Sequence, residues 1–196
     1  YIDFLVPGLL GMNLMGGSIW SIAFSIVTAR NKKLLKRLMA TPMSRSQYLV
    51  SFLFSRLAFL VLEVVTLVGF GHFAFGVPVR GSLLTLFMIA LVGAVSFGGM
   101  GLLTASRVRT TEAVSGLANF IMLPMWIFSG VFFSSANFPK VIQPLIHALP
   151  LTAVNDALRA NMLEGASLAS VSPEIVIIIV WGVITFFAAL KIFRWR

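Results

Sequence analysis

Glu63 and Arg56 are the residues best suited, by type and position, to do chemistry inside an apolar environment. They lie seven residues apart in a stretch made almost wholly of Leu, Val, Phe and small residues. A helix would set them two turns apart on nearly the same face, with about 10 Å between them along the axis. A lone carboxylate at that depth in a bilayer is costly unless it is paired or protonated. Two readings follow. One is an ion pair between helices, or a protonated Glu63, that serves packing; the other is a carboxylate that binds substrate or relays protons. Direct pairing with Arg56 needs both side chains extended, and one acidic position makes a poor relay, so the packing role is the expectation.

The remaining candidates for chemistry are weaker. His72 and His147 stand far apart with no carboxylate or cysteine at ligand spacing, which argues against a metal site. The chain has no cysteine at all, so thiol catalysis and cysteine ligation are excluded. Ser129-Gly130 lacks a supported base at matching depth, so it is no serine nucleophile. Gly98-Gly99-Met100-Gly101 is followed by no Lys-Ser/Thr pair and lies within an apolar run, so it does not cradle phosphate. The reading is a chain with no catalytic residue, no metal and no cofactor of its own.

The elements that must position these residues are membrane spans. Hydrophobic residues make up 59% of the 196 and charged residues only 11%, with a mean hydropathy of +0.99, far above a soluble domain. Apolar runs of about 20 residues recur, each long enough to cross a ~30 Å hydrocarbon core. Five spans are expected, over 4–28, 48–75, 82–104, 113–133 and 174–193. The fold class is therefore an all-α membrane protein. The net charge of +9 gathers at segment ends rather than along one face with interleaved aromatics, which excludes a nucleic-acid partner.

Charge placement orients the chain. Arg30, Lys32, Lys33, Lys36, Arg37, Arg45, Arg56, Arg107, Arg109, Lys191, Arg194 and Arg196 fall on one side, and only Arg80, Lys140 and Arg159 on the other. Basic loops stay in the cytoplasm, so residues 30–45 and the C-terminus are expected inside a plasma (inner) membrane and the N-terminus outside. An exterior start without a signal peptide implies an earlier span before Tyr1, six in the parent protein.

Two connections differ from plain loops. Within 30–45, Leu34, Leu35, Leu38 and Met39 form one helical face and Lys32, Lys33, Lys36 and Arg37 the other. Pro42 ends that helix, and Ser44 with Gln47 makes a capping box that starts the second span. Such a helix could lie on anionic lipid or dock into a cytoplasmic motor. Within 134–172, apolar residues recur helically over 137–149, with Asn137 as cap and Pro139 in the first turn. Pro150 stops that helix, and Leu151, Val154, Leu158 and Met162 begin a second one ending before Gly165. Both are too short to span, so they form a pair that dips into or lies on the outer interface. Small residues at Gly17, Ser21 and Ser25, and at Ala90, Ala94 and Gly98, provide faces for close helix approach.

These parts carry a resemblance. A Pro-Gly span entry (Phe4-Leu5-Val6-Pro7-Gly8) precedes a small-residue helix and a basic turn. Then come Leu38-Met39-Ala40-Thr41-Pro42-Met43-Ser44-Arg45, and later Leu149-Pro150-Leu151-Thr152 with Asp156-Ala157-Leu158-Arg159. In this order they resemble the type-2 permease family of ATP-binding-cassette (ABC) transporters, over essentially all 196 residues. Many relatives carry acidic residues and a Glu-Arg-Gly-Thr-like stretch in the first loop, where this chain has the basic 30–37.

The resemblance implies one transmembrane domain over 1–196, two copies of which face each other, each on a separate ABC ATPase subunit that binds ATP and Mg. It implies that loop 30–45 couples to that ATPase, through Arg30, Lys32, Lys33, Leu34, Leu35, Lys36, Arg37, Leu38 and Pro42, and that the outer pair forms part of the exit gate. ATP-driven closure of the motors would push on this loop and tilt the spans it joins. Apolar side chains of spans one and four (Met12, Met15, Trp126, Phe128) are expected to line the path. Without a ring of membrane charges, the cargo expected is amphipathic, drug-like or lipid-linked rather than ionic. The direction expected is export. Two alternatives stand beside this: a secondary transporter or channel using Glu63 and Arg56, for which no internal repeat is evident, and a non-transporting membrane scaffold.

Overall fold

Long apolar runs, punctuated by residues that cap or break helices, produce the architecture of this chain. A computed structural model describes residues 2–33 and 44–193. Among them the elements are α1 (Ile2–Asn31), α2 (Arg45–Phe75), α3 (Leu83–Ala105), α4 (Thr111–Phe128), a 3-10 turn at Ser135–Asn137, α5 (Gln143–His147), α6 (Pro150–Glu164) and α7 (Ser172–Ile192). No strand occurs among the described residues. Helices α1, α2, α3, α4 and α7 are long and apolar enough to cross a membrane, at the five places where the sequence puts spans.

Local chemistry sets their ends. Ser44 Oγ accepts a hydrogen bond from the Gln47 N–H at 3.3 Å, and Gln47 Oε1 accepts one from the Ser44 N–H at 2.9 Å. That is the expected capping box, satisfying two otherwise orphaned donors at the start of α2. Gly76, at φ 67°, closes the same helix in the left-handed conformation, which costs glycine nothing. Thr110 caps α4 by accepting from the Ala113 N–H at 3.2 Å, and Gly165 at φ 73° ends α6.

Helix α3 is the central post. It packs most extensively against α1 and α7 and also touches α2, α4 and α6. The glycine cluster excluded above as a phosphate loop explains how. A Cβ on Gly101 would lie 3.1 Å from the Ile19 backbone of α1, and one on Gly99 would lie 3.2 Å from the Gly182 carbonyl of α7. Reciprocally, a Cβ on Gly182 would lie 3.1 Å from Ser96 Cα. Three helix backbones therefore approach closely, the usual substitute inside a membrane for a hydrophobic driving force. Ala90, Ala94 and Gly98 are buried at these contacts as expected. Of the small residues expected on α1, Gly17 lies against the Arg56 side chain, while Ser21 and Ser25 are exposed.

The core forms two clusters. The larger gathers Leu10, Leu14, Met15, Ile19, Phe97, Leu151, Val154 and Leu158 among others. The smaller, toward the end of the bundle that carries residues 30–33 and 105–110, contains Ile26, Tyr48, Leu102, Val114 and Phe193. This end is the basic rim, since Lys32, Lys33, Arg107, Arg109 and Lys191 are all exposed there. The outward faces of α2, α4 and α7 present Phe59, Leu62, Phe120, Ile127 and Phe187, as expected of surfaces meeting hydrocarbon.

The 137–149 segment departs from expectation. Asn137 closes a 3-10 turn instead of capping a helix, and helix forms only over Gln143–His147. Pro139 and Pro144 lie five residues apart, and each lacks the N–H that a continuous helix would use. The fourth span ends at Phe128 rather than at 133, because Gly130 turns the chain at φ 69°. The second expected helix is present as α6, ending at Gly165, with Leu151, Val154, Leu158 and Met162 all buried. It packs against α1, α3 and α7, so it dips into the bundle.

Candidate functional site

Three arginines tie α1 to its neighbours at three levels, Arg159 and Arg56 reaching it from other helices and Arg30 reaching out from its end. Their contacts fall near residues 4–8, 17–18 and 30, about 20 Å apart along the helix at 1.5 Å per residue.

At the rim opposite the basic one, Arg159 of α6 lies over the Phe4 ring, 3.7 Å from its centroid. Its Nε donates to the Phe4 carbonyl at 3.3 Å and its Nη2 to the Gly130 carbonyl. Gly8 makes room for the guanidinium, since a Cβ there would lie 2.9 Å from Nη2. Burial lowers the Arg159 pKa to about 10, with Asp156 partly opposing the shift. Asp156 lies 3.9 Å from both Arg159 and His147. Burial raises the Asp156 carboxyl above its ordinary value, against the pull of Arg159 and His147 and with a further push from Glu174.

At mid-depth, Arg56 and Glu63 of α2 form a direct ion pair, both partly or wholly shielded. Arg56 Nε also donates to Ser18 Oγ of α1 at 3.1 Å. The extended side chains expected for a pair within one helix are present, and the link between helices runs through Ser18 rather than through the carboxylate. A guanidinium that bridges two groups in this way offsets much of the cost of its own burial.

At the basic rim, Arg30 ends α1 and reaches across to α3. Its Nη1 donates to the Ala105 carbonyl at 3.1 Å and to the Val108 carbonyl, and its Nη2 to the Ser106 carbonyl at 3.3 Å. The Ala105 and Ser106 carbonyls lie at the C-terminus of α3, where intrahelical donors run out and positive charge is favoured. The guanidinium also sits 5.5 Å from the Phe193 ring centroid, at the end of α7.

The other expected site residues distribute as follows. Lys32 and Lys33 are exposed at the basic rim. Leu34, Leu35, Lys36, Arg37, Leu38, Met39 and Pro42 lie outside the described residues. Met12 and Trp126 are half-buried against the larger core cluster, and Met15 is buried within it. Phe128 is half-buried with its ring 5.4 Å from that of Phe138. Met15 thus offers no outward surface, whereas the other three partly do. Sequence reasoning missed the roles of Arg159, Ser18 and Gly8. The signal available was a general one: an arginine beside an apolar run needs acceptors, and backbone carbonyls or an aromatic face supply them.

No group of three His, Asp or Glu among the described residues could hold a metal. The arrangement ties α1 to α2, α3 and α6.

Comparison with known proteins agrees in kind. The ABC-2 type transporter family profile matches residues 1–163. A probable multidrug ABC transporter permease of Escherichia coli K12, YbhS, is 29% identical over 83% of this chain and 43% of its own length. A second permease of the same description, YbhR, is 26% identical over 99% of this chain and 53% of its own. ABC transporter G family member 20 of Dictyostelium discoideum is 27% identical over 86% of this chain and 23% of its own length. The chain thus spans about half the length, or less, of these relatives. No solved structure matches it. With five membrane-length helices and a family match over most of its length, the chain belongs to the ABC-2 type transporter family.

Proposed function

We propose that this chain is the membrane permease part of an ATP-driven exporter, with ATP hydrolysed by a separate ABC subunit docked on residues 30–45 at the cytoplasmic face. Two copies facing each other would enclose the path. Family membership is the observation that carries this reading. The exposed basic rim supports the orientation, because cationic loops remain cytoplasmic. The names of YbhS and YbhR support amphipathic, drug-like cargo.

In this reading the fold supplies a helical packing with two arrangements that the motor biases. Met12, Trp126 and Phe128 present partly exposed apolar surface from α1 and α4 for the path, and Met15 joins them only where α1 parts from its neighbours. The Arg56–Glu63 pair serves packing, since Glu63 already has its cation.

The test replaces Lys32, Lys33, Lys36 and Arg37 by Glu in the full-length protein. The expected outcome is loss of ATP-dependent efflux of a cationic dye such as ethidium from loaded vesicles. Membrane insertion and copurification of the second copy should persist, while copurification of the ATPase should fall. Dye efflux that continues unchanged without ATP would overturn the reading.

A further inference from the structure

The 30–45 segment is covalently joined to α1 and α2 only, yet α3 is the post against which the other spans pack. Motion of that segment therefore needs a route to α3 and α7. Apolar helix contacts by themselves permit the small sliding displacements by which packed helices shear. A polar, directional contact at the helix ends holds register more tightly than such packing alone.

Arg30 is such a contact. Three carbonyls, of Ala105, Ser106 and Val108, converge on one guanidinium, whose planar fork holds several acceptors in a set geometry. The last turn of α3 has no basic residue of its own, and Arg30 of α1 adds its charge at this helix end beside Arg107 and Arg109, which follow it and are exposed. Phe193, against the same guanidinium, is buried and packs on Tyr48 with ring centroids 6.3 Å apart. Tyr48 lies in the first turn of α2. One side chain at the head of the 30–45 segment thus meets the ends of α3 and α7 directly and that of α2 through Phe193. Lys32 and Lys33, two and three residues on, are exposed.

We propose that Arg30 is a positioning residue that locks α1 to α3 and α7, so that displacement of the 30–45 segment moves the three helices as one body. This rests on the reading that an ATPase drives that segment. It also assigns Arg30 a different task from its neighbours: the exposed lysines meet the partner, and Arg30 transmits inward.

The chain contains no cysteine, so single labels are readily placed. In the assembled full-length transporter with its ATPase, Asp3→Cys reports the far end of α1 and Leu84→Cys the far end of α3; both positions are exposed. Spin-label distances between corresponding positions of the two copies are measured without nucleotide and after ADP–vanadate trapping. With Arg30 intact, both positions respond. With Arg30→Gln, the response at Asp3 should persist and that at Leu84 should fall at least twofold. An Arg30→Gln protein whose Leu84 response matches the parent overturns the proposal. If Arg30→Gln does not assemble, Arg30→Lys decides equally, because an ammonium keeps the charge but lacks the planar fork. An undiminished Leu84 response there refutes the lock. Absence of any nucleotide response with Arg30 intact would instead refute the ATPase reading.

Discussion

Gly17 of α1 leaves the space that Arg56 of α2 fills: a Cβ at Gly17 would lie 2.5 Å from Arg56 Nη2. The same guanidinium holds Glu63 and Ser18. A missing side chain on one helix therefore lets a cation on another reach its carboxylate at mid-depth. Gly17→Val should push the guanidinium out and leave Glu63 without its partner. Breaking a shielded pair by removing one member costs about 3–5 kcal/mol. Arg56→Met alone should approach that loss, while Arg56→Met with Glu63→Leu should be markedly milder. Unfolding in mixed micelles across this double-mutant cycle measures the coupling, and strictly additive losses would refute it.

Gly101 and Gly116 make a matched contrast. A Cβ on Gly101 meets α1 backbone at 3.1 Å, whereas one on Gly116 meets nothing within 4 Å. Backbone cannot step aside as a side-chain tip can, so Gly101→Val should cost about 1–3 kcal/mol through overpacking. Gly116→Ala should raise the stability of the isolated chain by up to about 1 kcal/mol, from helix propensity alone. Thermal melts in detergent compare the two. A loss at Gly116 confined to the assembled transporter would place a second copy on that face of α4.

The pH dependence at the opposite rim has a definite sign. The Asp156 carboxyl is raised above its ordinary 3.8, so the folded chain binds this proton more readily than the unfolded one. Its contribution to stability therefore grows as pH falls through the window between the raised value and 3.8, and is lost as pH rises through it. Asp156→Asn should flatten this trend. Melts of both proteins, taken from neutral pH downward, check the slope difference; parallel curves would contradict it.

The capping box gives a local prediction. Ser44→Ala removes the acceptor for the Gln47 N–H and should cost about 1 kcal/mol. The effect should be confined to the first turn of α2, read as faster amide exchange at residues 46–48 with exchange in α3 unchanged.

Much of the fold was legible before any coordinates. Helical periodicity and length set five membrane-long helices, and Ser44 with Gln47 marks the start of α2 because a capping box is a contact between near neighbours. The Arg56–Glu63 pair was legible for the same reason, both residues lying on one helix face. The 137–149 stripe misled, because its apolar spacing is helical while Pro139 and Pro144 remove the donors a continuous helix needs.

What the tertiary structure alone decided is which charges face outward and which hold the bundle together. By sequence, Arg30 belongs with Lys32 and Lys33, and Arg159 belongs to a connecting segment. In the fold their acceptors lie far off in the chain, Ala105 at a separation of 75 residues and Phe4 at 155. Periodicity reports only neighbours one or two turns away. The carbonyls that receive these arginines are brought within reach by the packing of α1, α3 and α6, at glycines that let the backbones and guanidinium groups come close.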